Sequence, residues 1–236
     1  MNKIIELIVL FLLIDVPLAN AYRCINATSI EASNWGQLEA AVDSAGIIIT
    51  EGGKPVTHTI GIDSDAGEVG ASFLLFKLPS FCAPVIFGKL QLKVRTAMRN
   101  IGPTAPPFLF VLYDVGDIPQ LLKPVWDISD YINAKSDLSK GRIYGNFKVR
   151  HSPANDGMII DIPLSYDSMY DINAAAGGLF AIGIAAGGSV AEGWSGEGDD
   201  VSFVTPEEGG LAQLELTMVG KSRGKQCYKK YGKKKY

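Results

Sequence analysis

The sequence predicts a mainly β protein, an antiparallel β-sandwich with few short helices, and three observations predict it. Short apolar or alternating runs recur along the chain. Clusters rich in Gly and Pro separate them, as in "EGGKP", "NIGPTAPP", "AAGG" and "EEGG". Helical periodicity is scarce. A sheet with one apolar face must bury it against another layer, so many short strands with frequent turns favour two packed sheets.

The elements follow in order. "NWGQLEAAVDSAG" (34–46) reads as a short helix with Asn34 as its cap. "ASFLLFKLP" (71–79) is apolar throughout and reads as a buried strand ending at Pro79. "GKLQLKVRT" (88–96) alternates, with Leu90, Leu92 and Val94 on one face and Gln91, Lys93 and Arg95 on the other. Period two marks a half-buried strand. "PFLFVLYDV" (107–115) is another apolar strand, and "GNFKVRHS" (145–152) alternates Phe147 and Val149 against Lys148 and Arg150. "MIIDIPL" (158–164), "LFAIGIAA" (179–186), "VSFV" (201–204) and "AQLELTM" (212–218) complete the strands, with Glu207 to Gly210 as the last turn. "WDISDYINAKSDLSKG" (126–141) reads as a loop or a helical insert, and "YDSMYDINAAAGG" (166–178) as one or two helical turns stopped by Gly177 and Gly178.

The two ends differ from the body. Lys3, the apolar run Ile4–Ile14 and Ala19-Asn20-Ala21 have the form of a signal peptide over 1–21, although Glu6 and Asp15 are unusual in such a run. The run is short for about 30 Å of hydrocarbon, so the expectation is a secreted or cell-surface protein with no transmembrane span. Residues 22–54 read as an extension, 55–220 as the sandwich and 221–236 as a basic, disordered tail. Against −3 for the whole chain, a leader of −1 and a tail of +8 leave the intervening body at −10. The tail "KQCYKKYGKKKY" interleaves Tyr with Lys, which suits general attraction to polyanions.

The cysteines are Cys24, Cys82 and Cys227, an odd number. In an oxidising compartment one is spare or pairs between molecules, and Cys24 could bond with either of the others. Asn26-Ala27-Thr28 is a glycosylation sequon.

Segments 55–218 also resemble the DNRLRE-domain family. "ASFLLFKLPSFCAPVIFGKLQLKV" is similar to its early signature and "LFVLYDVGD" to the strand after it. "GMIIDIPLSYDSMYDINAAAGGLFAIGIAA" is similar to the late segment, and "VSFVTPEEGGLAQLELTM" to the closing one. The order of these segments carries the resemblance. Thr205-Pro206 and Ala212-Gln213 depart from the usual pattern, and the mid-domain Trp-rich segment is reduced to Trp126. The resemblance implies a jelly-roll-like sandwich related to carbohydrate-binding modules, some of them for acidic polysaccharides, and it brings no catalytic residues.

Enzyme chemistry finds little footing. "GWSGEG" (193–198) lacks the second Gly of a nucleophile elbow, because Glu197 occupies that place. His58 and His151 are the only imidazole bases. The expectation is a non-enzyme. Candidate carbohydrate-binding residues are Lys93, Arg95, Lys148 and Arg150, which would form one basic stripe if their strands shared a sheet, and the loop indole of Trp194. Guanidinium and ammonium groups pair with carboxylate or sulfate, and an indole face stacks on a pyranose. Asp63, Asp65 and Glu68 are hard oxygen ligands at a spacing that suits Ca²⁺, the one cofactor suggested, and Glu197, Asp199 and Asp200 form a second acidic loop. Two function classes stand. One is a carbohydrate-binding module for extracellular polysaccharide or another polyanion, with no specific nucleic acid. The other is a structural or adhesive protein attached through its tail.

Overall fold

The structure, a computed structural model, describes residues 23–38, 60–63, 71–81, 83–98, 107–123, 128–150, 157–187 and 200–221. The strands are β1 (Arg23–Glu31), β2 (Asn34–Leu38), β3 (Ile60–Asp63), β4 (Ala71–Lys77), β5 (Val85–Met98) and β6 (Phe108–Asp114). After them come β7 (Ile143–Val149), β8 (Ile159–Pro163), β9 (Leu179–Ala186), β10 (Asp200–Phe203) and β11 (Ala212–Lys221). The helices are α1 (Ile118–Leu121), α2 (Ile128–Lys140) and α3 (Tyr166–Ala174).

Two antiparallel sheets pack face to face. One has the order β2-β4-β9-β6-β7. The other has six strands built on β5, which pairs with β8, β10 and β11, while β1 joins β11 and β3 joins β10. Residues 23–38, expected as an extension ahead of the sandwich, thus give one strand to each sheet. The helix expected at 34–46 is, over Asn34–Leu38, strand β2 paired with β4. Propensity over so short a stretch is a weak prior, and an available sheet edge overrides it.

The last two strands do not form a hairpin. The Lys93 amide donates to Leu211 O (3.0 Å) and the Val204 amide to Lys93 O (2.8 Å). Both groups of one residue on an antiparallel strand point to the same edge, so β10 and β11 lie end to end along one edge of β5. Residues 205–210 are an excursion between them. The Thr205 amide and hydroxyl both donate to Glu208 Oε2, at 3.2 and 3.0 Å, and Gly209 closes the turn at φ 70°.

The core lies between the sheets. Phe110 stacks on Phe147 with ring centroids 4.7 Å apart, and Phe203 meets both edge-on at 6.0 Å. Leu90, Leu92 and Val94 are fully buried while Gln91 and Lys93 are half-buried, as the period-two alternation requires.

A second apolar cluster lies on the far side of the five-stranded sheet. Phe73, Leu75, Ala181 and Ala185 meet Leu121 of α1 and Ala134 and Leu138 of α2. The segment read as a loop or helical insert is therefore a covering helix. It sits so close that a Cβ on Gly183 would lie 2.7 Å from Leu138 O. The unbroken apolar runs of β4 and β9 follow from this, because strands buried on both faces lose the alternation.

Candidate functional site

The helices cover one outer face, and among the described residues no element covers the other. The outer face of the six-stranded sheet is set by register. From β5 it presents Phe87, Lys89, Gln91, Lys93 and Arg95. Asp161 of β8 stands opposite Gln91, and Glu215 and Gln213 of β11 stand opposite Lys89 and Gln91.

These side chains are already organised. Lys89 Nζ lies 2.9 Å from both Asp161 Oδ2 and Glu215 Oε2. Gln91 Nε2 donates to Asp161 Oδ1 (2.6 Å), and Gln213 Nε2 donates to Gln91 Oε1 (2.6 Å). The hydrogen bond from Lys89, then that from Gln91, holds the Asp161 carboxyl below the usual carboxylate range. Asp161 and Glu215 in turn raise Lys89 above the ordinary lysine value. Arg95 pairs with Glu208 of the excursion. Lys93 makes no ion pair among the described residues. With Glu31, four carboxylates face three cations among the described residues, so the face is polar and near charge balance.

Helix α3 lies against the end of β5, with Met169 and Ile172 in the core between the sheets. Beyond Pro163 the Leu164 amide donates to Gly88 O (3.0 Å), and Ser165 caps the helix by accepting from the Ser168 amide (3.4 Å). Asn173 brackets Val85, accepting from its amide and donating to its carbonyl, each at 2.9 Å. Met169 packs over Gly88, its Cε 2.9 Å from where a Cβ there would be. Residues three and four apart are neighbours on a helix surface. Tyr166 and Tyr170 therefore lie next to the Met169–Asn173 row that touches β5. They are 85% and 67% exposed, and Phe87 at the end of the sheet face is 49% exposed.

On the other flank of α3, Asp171 accepts from the Tyr144 hydroxyl (2.7 Å) and pairs with Arg142 (2.7 Å), which also reaches Asp114 (3.2 Å). Burial first, then Asp171, pushes the Tyr144 phenol well above its ordinary value. At 2% exposure it is a clamp between β7 and α3, not a surface acid or base.

The sequence-predicted residues divide. Lys93 and Arg95 stand on the open face. Lys148 and Arg150 belong to β7 and its end, in the other sheet. Lys148 is exposed between buried Phe147 and Val149, so it points away from the opposite side of the sandwich. The single basic stripe does not form, because the two alternating strands lie in different layers. Trp194, Asp65, Glu68, Cys82 and Cys227 lie outside the described residues, as do His58, His151 and "GWSGEG". Asp63 ends β3 and is the register partner of Asp200, so the first acidic segment begins and the second ends at paired backbone positions. Among the described residues no group of three His, Cys, Asp or Glu could hold a metal. Cys24 is the register partner of Gly220 in β11.

Sequence reasoning missed Lys89, Asp161, Gln213, Glu215 and the tyrosine pair. Lys89 shares the parity of Gln91 and Lys93, and Tyr166 and Tyr170 are four apart in a segment read as helical, so both signals were present. The partners on β8 and β11 follow only from register.

No protein-family model matches the chain, and no curated protein matches it. Among solved structures, one from Bacteroides thetaiotaomicron, described as a "putative glycoside hydrolase", aligns at 10% identity and a TM-score of 0.30. The alignment covers 80% of this chain and 62% of that one, so the chain spans less than two thirds of its length. A structure from Bacteroides vulgatus with the same description aligns at 7% identity and a TM-score of 0.23, covering 69% of this chain and 72% of its own. Superpositions this loose carry no chemistry over to this chain.

Proposed function

We propose that this protein is a secreted, non-catalytic carbohydrate-binding β-sandwich of the DNRLRE type, whose glycan lies across the open face of the six-stranded sheet. One observation carries the reading. The helices seal one outer face with apolar contacts, while the other keeps rows of Lys, Gln, Asp and Glu held by one another at 2.6–2.9 Å. Side chains fixed before a ligand arrives lose little rotamer freedom when they bind it. Amides and carboxylates in rows suit sugar hydroxyls, which both donate and accept. Lys93 adds a cation that has no carboxylate of its own among the described residues. The family resemblance supports the same reading, since its segments fall in order on β4–β5, β6, β8–α3–β9 and β10–β11.

Binding is tested by titrating the full chain against a panel of neutral and acidic polysaccharides, with and without Ca²⁺. Saturable binding weakened by Lys93→Ala or Gln91→Ala supports the open face. Dependence on Ca²⁺ directs attention to the segment that starts at Asp63. A blank panel from folded protein would falsify the carbohydrate reading and leave the structural or adhesive role, with deletion of 221–236 as its test.

A further inference from the structure

We infer that Tyr166 and Tyr170 form a stacking platform for the pyranose rings of a neutral glycan whose remainder lies on the open face. This rests on the carbohydrate reading and names its ligand class.

The argument begins with exposure. Large aromatic side chains usually gain by burial, yet Tyr166 is 85% and Tyr170 67% exposed. They lie one turn apart on a single helical surface, about 6 Å along the axis. That helix is held rigidly against the end of β5. Ser165 caps it, Asn173 brackets Val85, and Asp171 is clamped by Tyr144 and Arg142. The platform is thus a fixed feature rather than a loop. Phe87, on the outer face of β5 one residue before Gly88, is 49% exposed as well. A ring face is electron-rich and attracts the partly positive C–H face of a pyranose. The phenol hydroxyls add donors and acceptors at the rim.

Charge selects the neutral class. Lys89 is already neutralised by Asp161 and Glu215, and Arg95 by Glu208, which leaves Lys93 as the one cation of this face without a carboxylate among the described residues. An acidic polymer would have to displace those carboxylates from their cations. Asp167 lies on the same helix as the tyrosines, and the body between leader and tail carries −10. A polyanion approaching this corner meets repulsion, while an uncharged glycan does not.

The test compares the full chain with Tyr166→Ala/Tyr170→Ala and Tyr166→Phe/Tyr170→Phe double variants. The probes are xyloglucan, mixed-linkage β-glucan and galactomannan against polygalacturonate, alginate and heparin. Both tyrosines are solvent-exposed, so the fold is expected to survive, and circular dichroism checks it. Binding to at least one neutral polymer is expected, with a loss of about tenfold or more in the alanine variant. The phenylalanine variant should stay within about threefold of wild type, because it keeps the ring faces. Neutral binding that the alanine variant retains overturns the platform and leaves the open-face reading standing. Binding to the acidic probes alone overturns the ligand class. Binding lost equally in the phenylalanine variant overturns stacking. A wild-type dimer that dissociates in the alanine variant, read by sedimentation, reassigns the surface to self-association. A blank panel removes the platform together with the function it rests on.

Discussion

The two outer faces of this sandwich have opposite fates. The five-stranded face is apolar, with Phe73, Leu75 and the small Ala181, Gly183 and Ala185 against α1 and α2, while the six-stranded face is polar, with Lys89, Gln91 and Lys93 half-buried on it. Small residues let a helix approach a sheet closely, and apolar ones make burial favourable. Alternation with Lys and Gln does neither. The helical insert therefore docks on one side alone, and the other becomes the surface on which function can be built. The difference teaches that the covering layer chooses the site by exclusion.

The comparison breaks most readily from the covered side. Leu138→Ala removes a fully buried side chain of α2 and should cost about 3 kcal/mol in urea unfolding. Equal stability would mean that the helix is not part of the cooperative unit. Gly183→Val sets a branched side chain against the Leu138 carbonyl, and overpacking of this kind should cost about 2 kcal/mol. A helix able to move aside would show almost no loss.

Tyr144→Phe sharpens the boundary between the faces. It takes one donor from Asp171, which keeps Arg142, and should cost about 1 kcal/mol. The open face should answer differently. Gln91→Ala should change stability by no more than about 0.5 kcal/mol while weakening any glycan binding. A large stability loss there would make the ladder structural instead of functional.

Asp161→Asn gives the smallest effect, and it depends on pH. The folded carboxyl titrates below its ordinary value, so its contribution is present above about pH 4 and fades as pH falls through the folded pKa. Wild type and variant should differ slightly at neutral pH and converge in acid. A gap that persists at pH 2 would assign the difference to packing rather than charge. The pair is exposed to solvent, so added salt should narrow the gap as well.

Much of this was legible in the residues. "GKLQLKVRT" alternates, and its Leu90, Leu92 and Val94 are buried as that pattern demands. "ASFLLFKLP" does not alternate, which already reports a strand covered on both faces. The segment 166–178 reads as one or two helical turns stopped by Gly177 and Gly178, and α3 occupies Tyr166–Ala174. The candidate site was half legible. Lys93 and Arg95 could be assigned to a solvent face by parity, but Asp161 and Glu215 could not be assigned to Lys89.

The sequence by itself determined the class of fold, the positions of most strands and which side of each strand is polar. These depend on the period of side chains along one strand and on local turn chemistry, and neither needs a partner. Only the tertiary structure decided which strands are neighbours. It laid β10 and β11 end to end on β5, drew β1 and β2 into the sheets, and separated Lys148 from Lys93 by a whole layer. Pairing over long sequence separations depends on edge availability and on the closure of the whole core, and no stretch of residues encodes that alone.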